Sequence, residues 1–133
     1  MRTRVMAATA GLALAALAIG ACGDDDEPST SIDATASEFE FEPDAWTAPV
    51  GEELTVTFEN GGSVDHEWVV IKRGQDLESE ADFAEDKVLF EVEASPGKST
   101  TQRFTVDDAG TYQVICAIAS HFDAGMEGTL TVK

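Results

Sequence analysis

Apolar and polar residues alternate with a period of two along most of the chain from Ile32 onward. Phe39 and Phe41 alternate with Glu38, Glu40 and Glu42, and Leu54, Val56 and Phe58 alternate with Thr55, Thr57 and Glu59. Successive side chains of a strand point to opposite faces, so these runs predict strands with one face in a core and one in water. Residues 68–71, Trp-Val-Val-Ile, are continuously apolar, as expected of a strand covered on both faces. Residues 89–92, residues 104–106, the set Tyr112, Val114 and Cys116, and the pair Leu130 and Val132 complete the series. The stretches "APVGEE", "ENGGS", "SPGKS", "DDAG" and "DAGMEG" place turn-forming residues between the runs.

Seven or eight short strands within about 100 residues, without a long amphipathic helix, predict an all-β fold, a Greek-key β-sandwich. Residues 74–87 break the alternation. They are highly charged, and Leu77, Ala81, Phe83, Ala84 and Val88 stand at near-helical spacing, which predicts one short helical excursion. The segment "DAGTY", ending at Tyr112, predicts a tyrosine corner, in which the phenol bonds back to nearby backbone.

The first residues follow another rule. Arg2 and Arg4 precede an uncharged Ala- and Leu-rich run that ends in small residues before Cys22, the order of a secretion signal and too short to span a bilayer. "LAIGAC" resembles the lipobox of bacterial lipoproteins, which implies removal of residues 1–21 and lipidation of Cys22. Acyl chains there would anchor the protein to the outer face of the bacterial cell membrane, in the periplasm or at the cell surface. Residues 22–31 contain "GDDDEPSTS" and are expected to be a flexible acidic tether ahead of a domain over residues 32–133.

Losing residues 1–21 takes away two arginines and no acidic residue, moving the formal net charge from −18 to −20. Such a surface repels nucleic acid and favours a basic protein partner or simple solubility. The domain also holds a single cysteine, so no disulfide can form within it, although the signal points to an oxidising compartment.

That cysteine opens "CAIASHFDAGM", which spaces Cys116, His121 and Met126 as Cys-x4-His-x4-Met on a loop between two strands. The only other histidine, His66, follows "ENGGSVD" at the mouth of the 68–71 strand, and a Greek-key sandwich gathers such loops at its ends. Singly, each has a plainer reading, as a core thiol, a core thioether or a surface imidazole. Their joint placement arises by chance roughly once in several hundred sequences. Two imidazoles, a thiolate and an axial thioether form the donor set of a blue copper centre, tolerable to both copper(I) and copper(II).

These residues carry a resemblance to the cupredoxins, the small blue copper proteins of azurin, plastocyanin and auracyanin type. The matching stretches are "FEFEP", "VGEELTVTFENGG", "SPGKSTTQRFTV", "DAGTYQVICAIASH" and "GMEGTLTV". The resemblance implies one type 1 copper ion held by His66, Cys116, His121 and Met126. It also implies electron exit through His121 within an apolar patch, for which the chain offers Ala117, Ile118, Ala119, Phe122 and Ala124. Two departures stand out. Ala119 and Ser120 occupy the place where many relatives carry Pro-Gly, which predicts a less constrained loop. Glu67 stands where relatives often carry a bracing Asn, and Asn60, Asp65 and Glu67 are the candidates for a supporting layer around the metal.

Two histidines are too few for a trinuclear copper cluster, and one domain cysteine is too few for a dinuclear two-cysteine site. A donor set filled by protein leaves no open position, so a carrier rather than an enzyme is expected. The leading reading is a membrane-tethered monomer that passes single electrons between protein redox partners such as a cytochrome or an oxidase subunit. A copper storage or delivery protein with the same ligands is the second reading. A metal-free or zinc-binding structural sandwich is the third.

Overall fold

A computed structural model describes residues 27–133. The signal assigned to residues 1–21 and the lipidation site at Cys22 lie outside the described residues. Among the described residues, nine strands form two sheets. One comprises β1 (Ser31–Ser37), β2 (Glu40–Glu42), β4 (Glu53–Asn60) and β7 (Ser99–Thr105), in the order β2-β1-β4-β7. The other comprises β3 (Ala45–Ala48), β5 (His66–Ile71), β6 (Val88–Ala94), β8 (Gly110–Ile115) and β9 (Glu127–Val132), in the order β3-β9-β8-β5-β6. Parallel pairings of β1 with β4 and of β3 with β9 tie the chain's crossovers into the sandwich. The runs named from sequence lack β1, whose inward residues are Ile32 and two small alanines, Ala34 and Ala36, and β3, where only Trp46 and Ala48 turn inward. The chain is already engaged before β1, since Ser29 N–H donates to Thr47 O and Thr30 O accepts from Thr55 N–H.

The inner faces carry Ile32, Leu54, Val56, Phe58, Trp68, Val114 and Leu130, all essentially without solvent contact. Burying each such side chain contributes about 1.5–3 kcal/mol. Trp46 and Trp68 meet edge to face at 5.4 Å, and Phe90 stacks on Phe104 at 3.9 Å. Tyr112 Oη donates to Asp108 O at 2.6 Å, which is the expected tyrosine corner.

A second apolar layer explains the unbroken 68–71 run. Val69, Ile71 and Ile115 face outward from the second sheet and are buried beneath Leu77, Phe83, Val88 and Phe122. The cover is the 74–87 excursion, which forms two single 3-10 turns, Glu80–Asp82 and Glu85–Lys87, rather than the expected helix. Side chains compete for its backbone. Gln113 Oε1 accepts from Leu77 N–H and Gln113 Nε2 donates to Leu77 O, while the Asp82 carboxylate accepts from the amides of Glu78 and Ser79. Backbone groups satisfied in this way no longer need a helical ladder.

Because β8 runs antiparallel to both β5 and β9, the start of β5, the end of β8 and the start of β9 meet at one end of the sandwich. His66 begins β5, Cys116 follows β8 and Met126 precedes β9.

Candidate metal centre

Cys116 continues the inward face of Tyr112 and Val114, so strand geometry alone sends its thiol into the sandwich end, where it is fully buried. His66 is equally buried, and His121 is 7% exposed. The ligand atoms of these three residues all lie within 4.8 Å of one another. His66 Nδ1 stands 4.0 Å and His121 Nδ1 3.3 Å from Cys116 Sγ. Nitrogen and sulfur donors held about 2.0–2.3 Å from one ion at trigonal angles stand roughly 3.5–4 Å apart, so the His66 spacing suits a single ion and the His121 spacing needs to open only slightly to do so. Met126 is fully buried, its N–H donates to His121 O, and its carbonyl accepts from Cys116 N–H. The loop thus folds back on itself to place Met126 beside the other two donors.

The donors are primed in protonation as well as position. Burial, and then the neighbouring His121, push the His66 pKa below its ordinary 6.5, leaving a neutral imidazole with a free lone pair. Burial pushes the Cys116 thiol above its ordinary 9.0, so a metal must displace its proton. Two amides aim at that sulfur: Glu67 N–H at 3.4 Å and the N–H of Ile118. They favour the thiolate once it forms.

The residues around the donors divide differently from the sequence expectation. Asn60 is fully buried and braces the loop ahead of His66. Its Nδ2 donates to Val64 O at 2.7 Å and Ala94 O at 2.8 Å, and its Oδ1 accepts from Gly62 N–H at 2.9 Å. Asp65 is exposed. Glu67 acts on the site through its backbone amide, because its side chain lies on the other face of β5. There burial, then Glu91, Glu93 and Glu85, raise its pKa, while the Ala117 amide bonds to it. Asp65 acts on His66 through its charge, more weakly than Glu38, and the Glu67 side chain turns away from it.

The carboxylate beside the imidazole is that of Glu38, which the sequence did not flag. Glu38 Oε1 stands 3.6 Å from His66 Nε2, an atom with no other partner among the described residues, and Ser63 holds the carboxylate by its amide and hydroxyl. With His66 neutral, this is a long N–H···O approach rather than a charged pair. Gly62 makes room for it, since a Cβ at that position would lie 2.9 Å from His66 Nε2. Next in sequence, Phe39 is not the inward strand residue its alternation predicts. It sits in the turn between β1 and β2 with φ 71°, 44% exposed, and its ring meets that of His121 in an edge-on arrangement with the ring centres 5.1 Å apart.

The expected apolar patch is also redistributed. Ala119 and Ala124 are exposed, Ala117 and Ile118 half-buried. Phe122 is only 9% exposed and packs in the outer layer with Leu77, so it leaves the patch, and Phe39 supplies the aromatic ring at the surface instead.

The donor set, buried and preformed, is that of a type 1 copper centre. The model of the family described as copper binding proteins, plastocyanin/azurin family, matches residues 28–133. A copper-resistant cuproprotein, CopI, from Rubrivivax gelatinosus is 30% identical over 100 residues, 70% of this chain and 59% of the relative. Auracyanin-B from Chloroflexus aurantiacus is 28% identical over 56% of this chain and 38% of the relative. This chain therefore spans less than two thirds of the length of each of these two curated relatives. The crystal structure of dithionite-reduced auracyanin from Roseiflexus castenholzii superposes with a TM-score of 0.69 at 26% identity, covering 80% of this chain and 99% of that one. The chain belongs to the plastocyanin/azurin family of copper-binding proteins.

Proposed function

We propose that this protein is a one-electron carrier working outside the cytoplasm, tethered to the membrane through Cys22 and exchanging electrons with protein partners through His121. The observation that carries the reading is the closed, buried donor set of His66, Cys116 and His121, with Met126 alongside. A rigid set acceptable to both oxidation states lets copper cycle with little rearrangement, and a filled set offers no position for substrate. Copper supplies the redox change when bound. The protein's residues hold the ion, exclude water and set the nearly buried His121 ring against the exposed Phe39, on a loop whose Ala119 and Ala124 are also exposed.

The acidic surface would steer a basic partner, with association slowing as salt rises. Stopped-flow oxidation of the copper(I) protein by a basic c-type cytochrome tests this. Phe39→Glu should slow the reaction while leaving the visible spectrum intact, and an unchanged rate would remove Phe39 from the docking surface.

The copper-resistant relative favours a second reading, copper storage or delivery. Rapid loss of copper to a mild chelator, together with slow electron exchange, would support it over the carrier.

A further inference from the structure

Ala119-Ser120, in place of Pro-Gly, suggests a loose ligand loop, yet this loop is held from outside. Ser120 adopts left-handed backbone, φ 71°, which a residue with a Cβ keeps only when its surroundings impose it. Its N–H donates to the Glu80 carboxylate, 40 residues earlier in the chain. Three residues beyond Ser120, Asp123 Oδ1 accepts from Glu80 N–H at 2.8 Å. Glu80 is thus bonded on both sides of His121, by its side chain before it and its backbone after it. Phe122 lies between those two bonds, buried with Leu77, whose own N–H and C=O are both fixed by Gln113.

We propose that the 74–87 excursion clamps the copper loop, and that Glu80 is a positioning residue which fixes His121 and slows the escape of copper. A proline ring would restrict the loop from within by fixing one backbone angle, whereas Glu80 restricts it through space. Release of copper requires His121 to swing away, and the loop cannot carry it outward while Ser120 and Asp123 are both bonded to Glu80. The clamp requires only that His121 hold copper, so failure to exchange electrons with any partner would bear on the carrier reading and not on this one.

Two readouts test it in the full-length protein. One is amide hydrogen exchange at Ser120 without metal, and the other is the rate of copper(I) loss to bathocuproine disulfonate. Glu80→Ala should raise both rates on the order of tenfold, the scale of one charge-assisted hydrogen bond. Glu80→Gln, whose amide oxygen still accepts from Ser120, should restore most of the wild-type behaviour. Asp123→Ala should give a smaller acceleration, and adding it to Glu80→Ala should give less than the product of the two effects, because the bonds act as a unit. Wild-type rates in a folded Glu80→Ala protein would overturn the clamp, as would a Glu80→Gln protein as fast as Glu80→Ala. Should Glu80→Ala fail to fold, wild-type rates in Asp123→Ala would overturn it instead.

Discussion

Asn60 offers the sharpest test of how the fold holds the first histidine. Asn60→Ala removes three side-chain hydrogen bonds, to Val64 O, Ala94 O and Gly62 N–H, from a fully buried position. Each such bond contributes about 1 kcal/mol net, and water can reach the freed groups of the exposed 61–65 loop more easily than Ala94 O, so the loss should be about 3 kcal/mol. For a domain of this size that lowers the melting temperature by about 12 °C. Asn60→Asp is the telling control. It keeps the acceptor for Gly62 but turns a carboxylate toward two carbonyl oxygens, so it should cost at least as much as the alanine. Urea unfolding of the metal-free proteins gives both numbers. A loss below about 1 kcal/mol for the alanine, or an aspartate variant as stable as the parent, would refute the bracing role. Because the braced loop leads directly into His66, the alanine should also bind copper more weakly than its lost stability of fold alone would suggest.

Other consequences follow from the same geometry. Glu67 has a raised pKa in the fold, so the folded protein holds that proton more tightly than the unfolded chain does. Stability is therefore lost as pH rises from 4.5 through the raised value. Metal-free Glu67→Gln should be more stable than the parent at pH 7, with the difference vanishing below pH 4.5; equal stability at pH 7 would contradict the assignment. Because the buried Cys116 thiol is protonated before copper arrives and His66 is already neutral, copper(II) uptake at pH 7 should release about one proton from this pair, measurable by calorimetry in buffers of different ionisation enthalpy. No release would mean that Cys116 does not ligate or that its thiolate is preformed. Glu38→Gln removes the carboxylate nearest an imidazole and should raise the reduction potential, less so at high salt because Glu38 is partly exposed. An unchanged or lowered potential at low salt would exclude that electrostatic influence.

The parts legible in the sequence are those that local periodicity writes. Alternation marks the inward faces of β4, β8 and β9, and it places Cys116 on the same face as Tyr112 and Val114. The spacing of Cys116, His121 and Met126, with His66 at another strand's mouth, is legible because chemically rare side chains fall at chain reversals. What sequence could not show depends on contacts between distant segments. Glu38-Phe39-Glu40-Phe41 reads as one strand, and only the packing of the turn against Ser63 and His121 reveals that Phe39 has left it. Gln113 takes over the backbone of Leu77 from 36 residues away, which breaks a pattern otherwise suited to a helix. Ala119-Ser120 suggests looseness for the same reason, since its restraint, Glu80, comes from a segment whose fold the periodicity misreads. Proximity to His121 in sequence suggests a shared surface for Phe122, but neighbouring loop residues need not share a face, and this one turns under the excursion.

The most direct test is the visible spectrum of the purified protein with one equivalent of copper(II), recorded through a cycle of one-electron reduction and reoxidation. A thiolate, two imidazoles and a thioether around copper predict intense colour that bleaches with one electron, returns fully on reoxidation and is absent in Cys116→Ala. A pale copper(II) spectrum, or colour that fails to return because Cys116 has been oxidised and the metal lost, would contradict the account.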